Sequence, residues 1–516
     1  MTIRCLIRPS AYFDSVVLMR IAGELGGRPG VDAASLVMAT EANKQVLAGA
    51  GLLTEEAKGA TANDLVLAVA GQGAAVDDAL RTALKALERG SGEPGTGAGG
   101  PPQSPPPVRA RTLAGLRGAA DLAVISTPGR YAAAEALKAL RLGLHVFLFS
   151  DNVPVEQEVF LKEEAQRRGL LVMGPDCGTA IIGGVPLGFA NAVRRGDIGL
   201  IGASGTGLQQ VSVLIDAEGG GVSQVIGVGS RDLSGAVGGR SAFAALDALA
   251  ADPGTRVIVL ISKPPAPEVA DRIMARAARA GKPVIACFLG YQPPDPPPGV
   301  RTAATLEAAA LAAVGKDAGD GPEASGPSLT PLAARPAPPP CGGGGGGLLR
   351  ALYTGGTFAC ESRLLLLPQL GTLAVHPAPP APGEGITLPD AHVVLDLGDD
   401  RFTVGRPHPM IYPEARTEFL RAAMADQRSA VVVLDIVLGY GAAPDPAGPV
   451  ASVLAEAAGR PYRPAVVAFI VGTAADPQGL ARQERMLRDA GAVLAPSSTA
   501  AARLAGQLLA APGAVG

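Results

Sequence analysis

Short apolar runs recur along the chain, each broken by Gly or Pro and separated from the next by a helix-patterned stretch. Leu65–Ala70, Leu122–Ser126, Val146–Phe149, Leu170–Met173, Ile198–Ile201, Val225–Val228, Val257–Ile261 and Val284–Leu289 all read as strands, with helical patterns such as Arg130–Leu142 and Val155–Arg168 between them. Continuous rather than alternating apolar character means burial on both faces, so the pattern predicts parallel sheets covered by helices, the doubly wound α/β class. Ligands of that class bind at the carboxyl ends of strands, which directs attention to the turns that follow them.

A chain of 516 residues exceeds one ordinary core, and two to four domains are expected. Gly90–Pro107 and Gly315–Gly347 are rich in Gly, Pro and Ser and read as tethers. A pattern repeat spans the second tether. Asp252–Gly290 and Asp426–Gly472 each run strand, Gly/Pro loop, helix, strand ending in Gly, which predicts two related flavodoxin-like units. A net charge of −3 without a basic run argues against nucleic acid and anionic membrane as partners. The five cysteines (Cys5, Cys177, Cys287, Cys341, Cys360) are scattered without a CxxC pair, so free thiols in a reducing cytoplasm are expected, and no metal site. Arg4 and Arg8 interrupt the first apolar run, unlike a signal peptide, and no run suffices for a membrane helix.

One turn stands out. The run Ile198–Ile201 breaks on Ala203-Ser204-Gly205-Thr206-Gly207, after which a helical pattern begins. A strand that opens into a helix through small residues gathers unpaired N–H groups at the positive end of the helix dipole, a place suited to an anion. Gly205 and Gly207 would let the backbone approach closely, and Ser204 and Thr206 could cap the helix or donate hydroxyls. An ordinary capped turn would use the same residues. No Gly-Lys-Ser/Thr follows, so this is not a Walker A loop.

In order and spacing, "LLVMGPDCGTAI", "GDIGLIGASGTG" and "VIGVGSRDLSGAVGGRSAFAALDALAADPGTRVIVLISKPP" resemble the α subunit of succinyl-CoA synthetase. After the second tether, "LYTGGTFACE", "HVVLDLGD", "VVVLDIVLGYG" and "FIVGTAADPQGLARQERMLRDAGAVL" are similar to the CoA-ligase domain of the β subunit. The fused order, with "VGSRDLS" and "GRPHPMIYP", most resembles the FdrA-type acyl-CoA synthetase-like proteins. The resemblance implies a Rossmann-like CoA-binding domain over residues 1–190 (with an insert at 90–108), a flavodoxin-like α-type domain over 191–314, a linker over 315–347 and a flavodoxin-like β-type domain over 348–516. It also implies CoA as cofactor and paired helix N-termini that hold a phosphoryl group.

Three departures qualify what the resemblance implies. The strand Val284–Leu289 leads to "GYQPPDPPPG", without the histidine that the family phosphorylates. No ATP-grasp segment precedes the β-like part. The first strand is followed by "RPSAYFDS" instead of a G-x-T-G-x-x-G loop, leaving Arg8, Ser10, Tyr12 and Ser15 as a substitute CoA cradle or as plain strand-end and cap residues. The resemblance places the second phosphate-facing helix after Leu397, where Arg406 and His408 would bring a cation and a titratable group to the Ser204, Gly205, Thr206, Gly207 turn. His408 could equally be a loop imidazole fixed between prolines. Arg231, after the Val225 run, is either a two-pronged anion grip or half of a local pair with Asp232, and Lys263 is a possible anion contact or a solvated lysine. The resemblance therefore leaves three functions: an acyl-CoA synthetase-like enzyme handling an acyl phosphate; a subunit of a carbamoyl-transferring complex, of the oxamate carbamoyltransferase type of purine and allantoin catabolism; or a non-catalytic CoA-sensing module. A small acyl or carbamoyl substrate, and a homo-oligomer or other subunits, are the expected partners.

Overall fold

The computed structural model describes residues 2–90 apart from 12 and 14, 112–316 apart from 117, 347–374, 386–403 and 408–510. Both predicted tethers lie mostly outside the described residues. Two compact units emerge: Met1–Pro107 with Ala378–Ile386 and Asp399–Ala415, and Val108–Pro377 with Thr387–Gly398 and Arg416–Gly516.

The first unit departs from the expected Rossmann-like domain over residues 1–190. Its three strands, Thr2–Arg8, Leu65–Gly71 and Val31–Met38, form an antiparallel sheet with Leu65–Gly71 in the middle. Leu65, Leu67 and Val69 face the helices Ser15–Gly26 and Gly73–Gly90, and Val66, Ala68 and Ala70 face a second apolar layer with Leu47 and Leu52. A central strand covered on both sides is apolar throughout whichever way its neighbours run, so its composition could not reveal antiparallel pairing.

Three sheets make up the second unit. Leu122–Ile125, His145–Leu148 and Val172–Met173 form a small parallel sheet. A seven-stranded sheet runs Val300–Thr302, Val284–Phe288, Val257–Ser262, Arg195–Ala203, Val222–Gly227, then the antiparallel hairpin Thr179–Ile182 and Val185–Gly188. A six-stranded parallel sheet runs Leu373–Ala374, His392–Asp396, Leu348–Tyr353, Ser429–Val437, Ala465–Val471, Val493–Ala495. All six residues of Val257–Ser262 are buried, as a parallel strand with helices on both faces requires.

The two larger sheets share one plan. Arg195–Ala203 has the next strand in sequence, Val222–Gly227, on one side and the one after, Val257–Ser262, on the other. Leu348–Tyr353 has His392–Asp396 on one side and Ser429–Val437 on the other. The direction of winding reverses beside the first strand in each half, which opens a crevice at its carboxyl end. In each half the repeated segment found in the sequence supplies the strand beside the first one and the strand beyond it, Val257–Ser262 with Val284–Phe288 and Ser429–Val437 with Ala465–Val471.

Candidate anion site

The carboxyl end of Arg195–Ala203 delivers Ser204, which caps the helix Gly205–Ala217: its Oγ accepts a 3.0 Å hydrogen bond from the Gly207 N–H. The equivalent strand Leu348–Tyr353 delivers Thr354 and Gly355, and the helix Gly356–Leu370 begins there without a side-chain cap. These two turns meet. Ser204 Oγ and Thr357 Oγ1 lie 2.5 Å apart in a buried hydroxyl pair, and a Cβ on Gly355 would stand 2.5 Å from Thr206 Cγ2. Only a glycine lets the turns close to this distance. The helix that meets the Ser204 turn is thus the one starting at Gly356, and not one after Leu397 as expected.

Two helix N-termini directed at one place present several N–H groups without intrahelical partners and two positive dipole ends. Three side chains complete the surroundings. Thr179 is 3% exposed and its Oγ1 has no hydrogen-bond partner among the described residues; that oxygen lies 3.2 Å from where a Cβ on Gly205 would be. A buried hydroxyl is normally satisfied, so its orientation toward the helix start marks a place for a polar guest. Lys263 follows the strand paired to Arg195–Ala203, and its Nζ lies 3.6 Å from the Cβ position of Gly356. Asp396 ends the strand on the other side, with Oδ2 2.5 Å from that position and Oδ1 accepting from Gly398 N at 3.0 Å.

The Gly355 turn is braced from within. Asp435 accepts the Thr354 N–H at 2.9 Å and the Thr354 hydroxyl, and it pairs with Arg416 at 3.4 Å. Both charged side chains are almost wholly enclosed. Burial raises the Asp435 carboxyl above its ordinary range in spite of the neighbouring guanidinium, so its bonds to Thr354 act against a desolvation cost.

Other expected site residues are placed elsewhere. Arg231 donates from Nε to Glu158 Oε2 at 3.1 Å and from Nη2 to the Val153 carbonyl at 2.7 Å. It neutralises a fully buried carboxylate that also holds Lys162 at 2.8 Å, while Lys162 reaches Asp232 at 2.7 Å. The guanidinium, though partly exposed, is therefore a brace between Glu158 and the Val153 loop instead of an open anion grip. His408 belongs to the first unit and accepts the Met410 N–H on Nδ1 at 3.2 Å. Burial pushes its imidazole down to about 4, so it is neutral near pH 7 and is not the near-neutral titrating group expected. Arg406 and Tyr12 lie outside the described residues. Arg8 ends the first strand of the antiparallel sheet, Ser10 donates its N–H to Asp64 at 2.9 Å, and Ser15 opens the first helix.

Thr179, Lys263, Gly355, Gly356, Thr357 and Asp396 form the rest of the site, and among these the sequence had marked Lys263 alone. A signal existed for Gly355, Gly356 and Thr357: "YTGGT" follows its strand as "GASGTG" follows its own.

Comparison with known proteins divides the chain in a similar way. Residues 1–102 match the family model "AllF, heavy metal-associated domain", residues 193–290 match "CoA binding domain" and residues 352–508 match "CoA-ligase". The Escherichia coli (strain K12) protein YahF, described as uncharacterized, is 41% identical over 527 aligned positions covering 99% of both chains. The Bilophila wadsworthia ADP-forming sulfoacetate-CoA ligase subunit SauD is 27% identical over 34% of this chain and 61% of its own length. The α subunit of the ADP-forming succinate–CoA ligase of Methanothermobacter thermautotrophicus is 26% identical over 35% and 60%. The chain therefore matches about three fifths of each ligase subunit. A solved acetyl-coenzyme A synthetase of Ca. Korarchaeum cryptofilum covers 75% of this chain and 82% of its own, with 17% identity and a TM-score of 0.30.

The first match names a heavy metal, and the donor set does not fit one. Residues 1–102 contain no histidine and a single cysteine, Cys5, which lies on a paired strand where burial raises its thiol. Soft metals take thiolate or imidazole ligands in groups, and the described residues contain no group of three or more potential ligands. Nor is any described helix long and apolar enough to cross a membrane.

Proposed function

The chain belongs to the family of YahF and carries CoA-binding and CoA-ligase domains related to those of succinyl-CoA synthetases, and from that premise we propose that it is an acyl-CoA synthetase-like enzyme that takes an acyl phosphate at the paired turns. The observation that carries this reading is the 2.5 Å contact between Ser204 and Thr357, which joins two helix N-termini from the two halves of the repeat. An acyl phosphate seated there would have its phosphate faced by the N–H groups of both helix starts and by the Thr179 hydroxyl. These groups are fixed before the reaction, so they would stabilise charge as it gathers on the departing phosphate without reorganising.

CoA use follows from the same two domain matches. A cavity of about 460 Å³ lined by Asn191, Arg194, Arg195, Asp216, Tyr440 and Thr473 has the size of a small-molecule site; Arg194 pairs there with Asp216 at 3.0 Å and Arg195 donates to the Gly183 carbonyl at 2.6 Å, so only their remaining N–H groups would be left for the phosphates of part of a CoA molecule. When bound, CoA supplies the thiol that receives the acyl group. Arg8, Ser10, Tyr12 and Ser15 lie outside both matched segments, which leaves the cavity the better supported place. Partner subunits would supply the nucleotide-dependent step.

The carbamoyl-transferring alternative uses the same site, since carbamoyl phosphate is an acyl phosphate. It is favoured by the lack of a histidine on the turn after Val284–Phe288, where Tyr291 instead donates to Asp271 at 2.5 Å. Labelling with γ-phosphate-labelled ATP, compared with phosphate release from carbamoyl phosphate plus oxamate in the presence of partner subunits, separates the two: stable acid-labile label supports the synthetase, release supports the transferase.

The turn itself is tested by Gly205→Val. The nearest atom to a Cβ there is the Thr179 hydroxyl oxygen at 3.2 Å, a side-chain atom that must give slightly, and the new side chain fills the space facing it. The variant should keep its melting temperature within about 2–4 °C of wild type and lose the thermal protection that phosphate or acetyl phosphate gives. Undiminished protection would mean that the turn has no ligand role.

A further inference from the structure

Lys263 is out of place by the usual rule. Carboxylates favour helix N-termini and ammonium groups favour C-termini, yet Lys263 holds its Nζ beside Gly356, the first residue of one helix. Its strand is paired residue for residue with the strand that opens into the other helix, Ser262 opposite Ala203. Lys263 makes no ion pair among the described residues, although the Asp396 carboxylate also reaches Gly356. It is half-buried, so water screens its charge incompletely. An ammonium set against two positive dipole ends is unfavourable without a negative partner. Asp396 is the group such a place attracts, and its Oδ2 lies against the helix start.

Resting on the acyl-phosphate reading above, we infer that Lys263 is the fixed counter-charge for a dianionic phosphoryl group at the paired turns, and that the Asp396 carboxylate holds that position until the anion arrives. The topology supports this assignment. Ser204 and Lys263 follow the carboxyl ends of the neighbouring strands Arg195–Ala203 and Val257–Ser262, and Gly356 and Asp396 lie at the carboxyl ends of the neighbouring strands Leu348–Tyr353 and His392–Asp396. Lysine in such a position acts as a point charge on phosphate, a role that methionine of similar length cannot fill and arginine can. The unpartnered Thr179 hydroxyl, on a different element, independently marks the same place as one for a polar guest. The assignment also narrows the ligand class: two dipole ends and one full positive charge suit a phosphoryl dianion better than a lone carboxylate.

The test is calorimetric titration of the full chain with inorganic phosphate and with acetyl phosphate. Lys263→Met should weaken both by about ten-fold or more and Lys263→Arg should restore most of the loss, while Asp396→Asn, which removes the competing carboxylate, should tighten both several-fold. Acetate should bind wild type and Lys263→Met with similar weakness. Loss of binding in Gly205→Val with full binding in Lys263→Met would overturn the role of Lys263 and leave the acyl-phosphate reading standing. Unchanged or weaker binding in Asp396→Asn would overturn the place-holding role. Wild type that binds neither ligand would overturn both readings together.

Discussion

Asp435 and Arg416 are a carboxylate and a guanidinium held 3.4 Å apart with almost no contact with water. Removing one partner strands the other, so Asp435→Ala should cost about 3–5 kcal/mol in chemical denaturation. It should also loosen the Gly355 turn, because both bonds to Thr354 are lost. His408 gives a different signature. Burial depresses its imidazole from 6.5 to about 4, so the unfolded chain takes up a proton at a pH where the folded chain does not. The stability it contributes is complete above the unfolded value and is lost as pH falls from 6.5 toward about 4. His408→Gln should flatten that part of a stability-versus-pH curve and leave the activity profile near neutral pH unchanged; a shift in that profile would show His408 acting on substrate. The sequence disclosed the histidines and little of their circumstances. His145 and His392 each accept a backbone N–H on Nδ1, from Leu171 and Leu349 respectively, at 3.0 Å, a matter of strand register that composition does not encode.

At the scale of elements, Glu361 decides how the Gly356 helix is held. Its carboxylate accepts the Leu306 N–H at 2.8 Å, the Ser498 hydroxyl at 2.5 Å and the Thr499 hydroxyl at 3.0 Å. One side chain thereby ties this helix to the starts of Leu306–Ala313 and Ser498–Ala510. Burial raises its proton affinity while these three donors lower it, and burial is the larger effect. Glu361→Ala would leave three donors unpaired in the interior, at a cost of about 1–3 kcal/mol for each. Glu361→Gln should recover much of that loss, and equal destabilisation by the two changes in urea unfolding would contradict the tie. The strands were largely readable because parallel strands buried on both faces are continuous apolar runs. Their partners were not. Leu65–Gly71 looks like the other runs and pairs antiparallel, and the start of the Gly356 helix drew notice as a family motif without betraying that it meets Ser204.

Considered whole, the second unit builds the proposed site from two sheets of similar plan. Two sheets of like winding each supply the turn after their first strand, and the turns meet through small residues and a pair of hydroxyls. The repeat, the fold class and one of the two turns could be read from residues alone. Contacts such as Lys263 to Gly356 or Thr179 to Gly205 could not, because they join positions far apart in sequence across elements whose docking depends on the whole core. The measurement that bears most directly on this account is a crystal structure of the full chain grown with orthovanadate, a phosphate mimic. The account predicts density between the N–H groups of Gly205, Thr206, Gly356 and Thr357, with Lys263 Nζ in contact and Asp396 turned away. Well-occupied vanadate bound solely elsewhere, with Ser204 and Thr357 still joined and Asp396 still against Gly356, would contradict it.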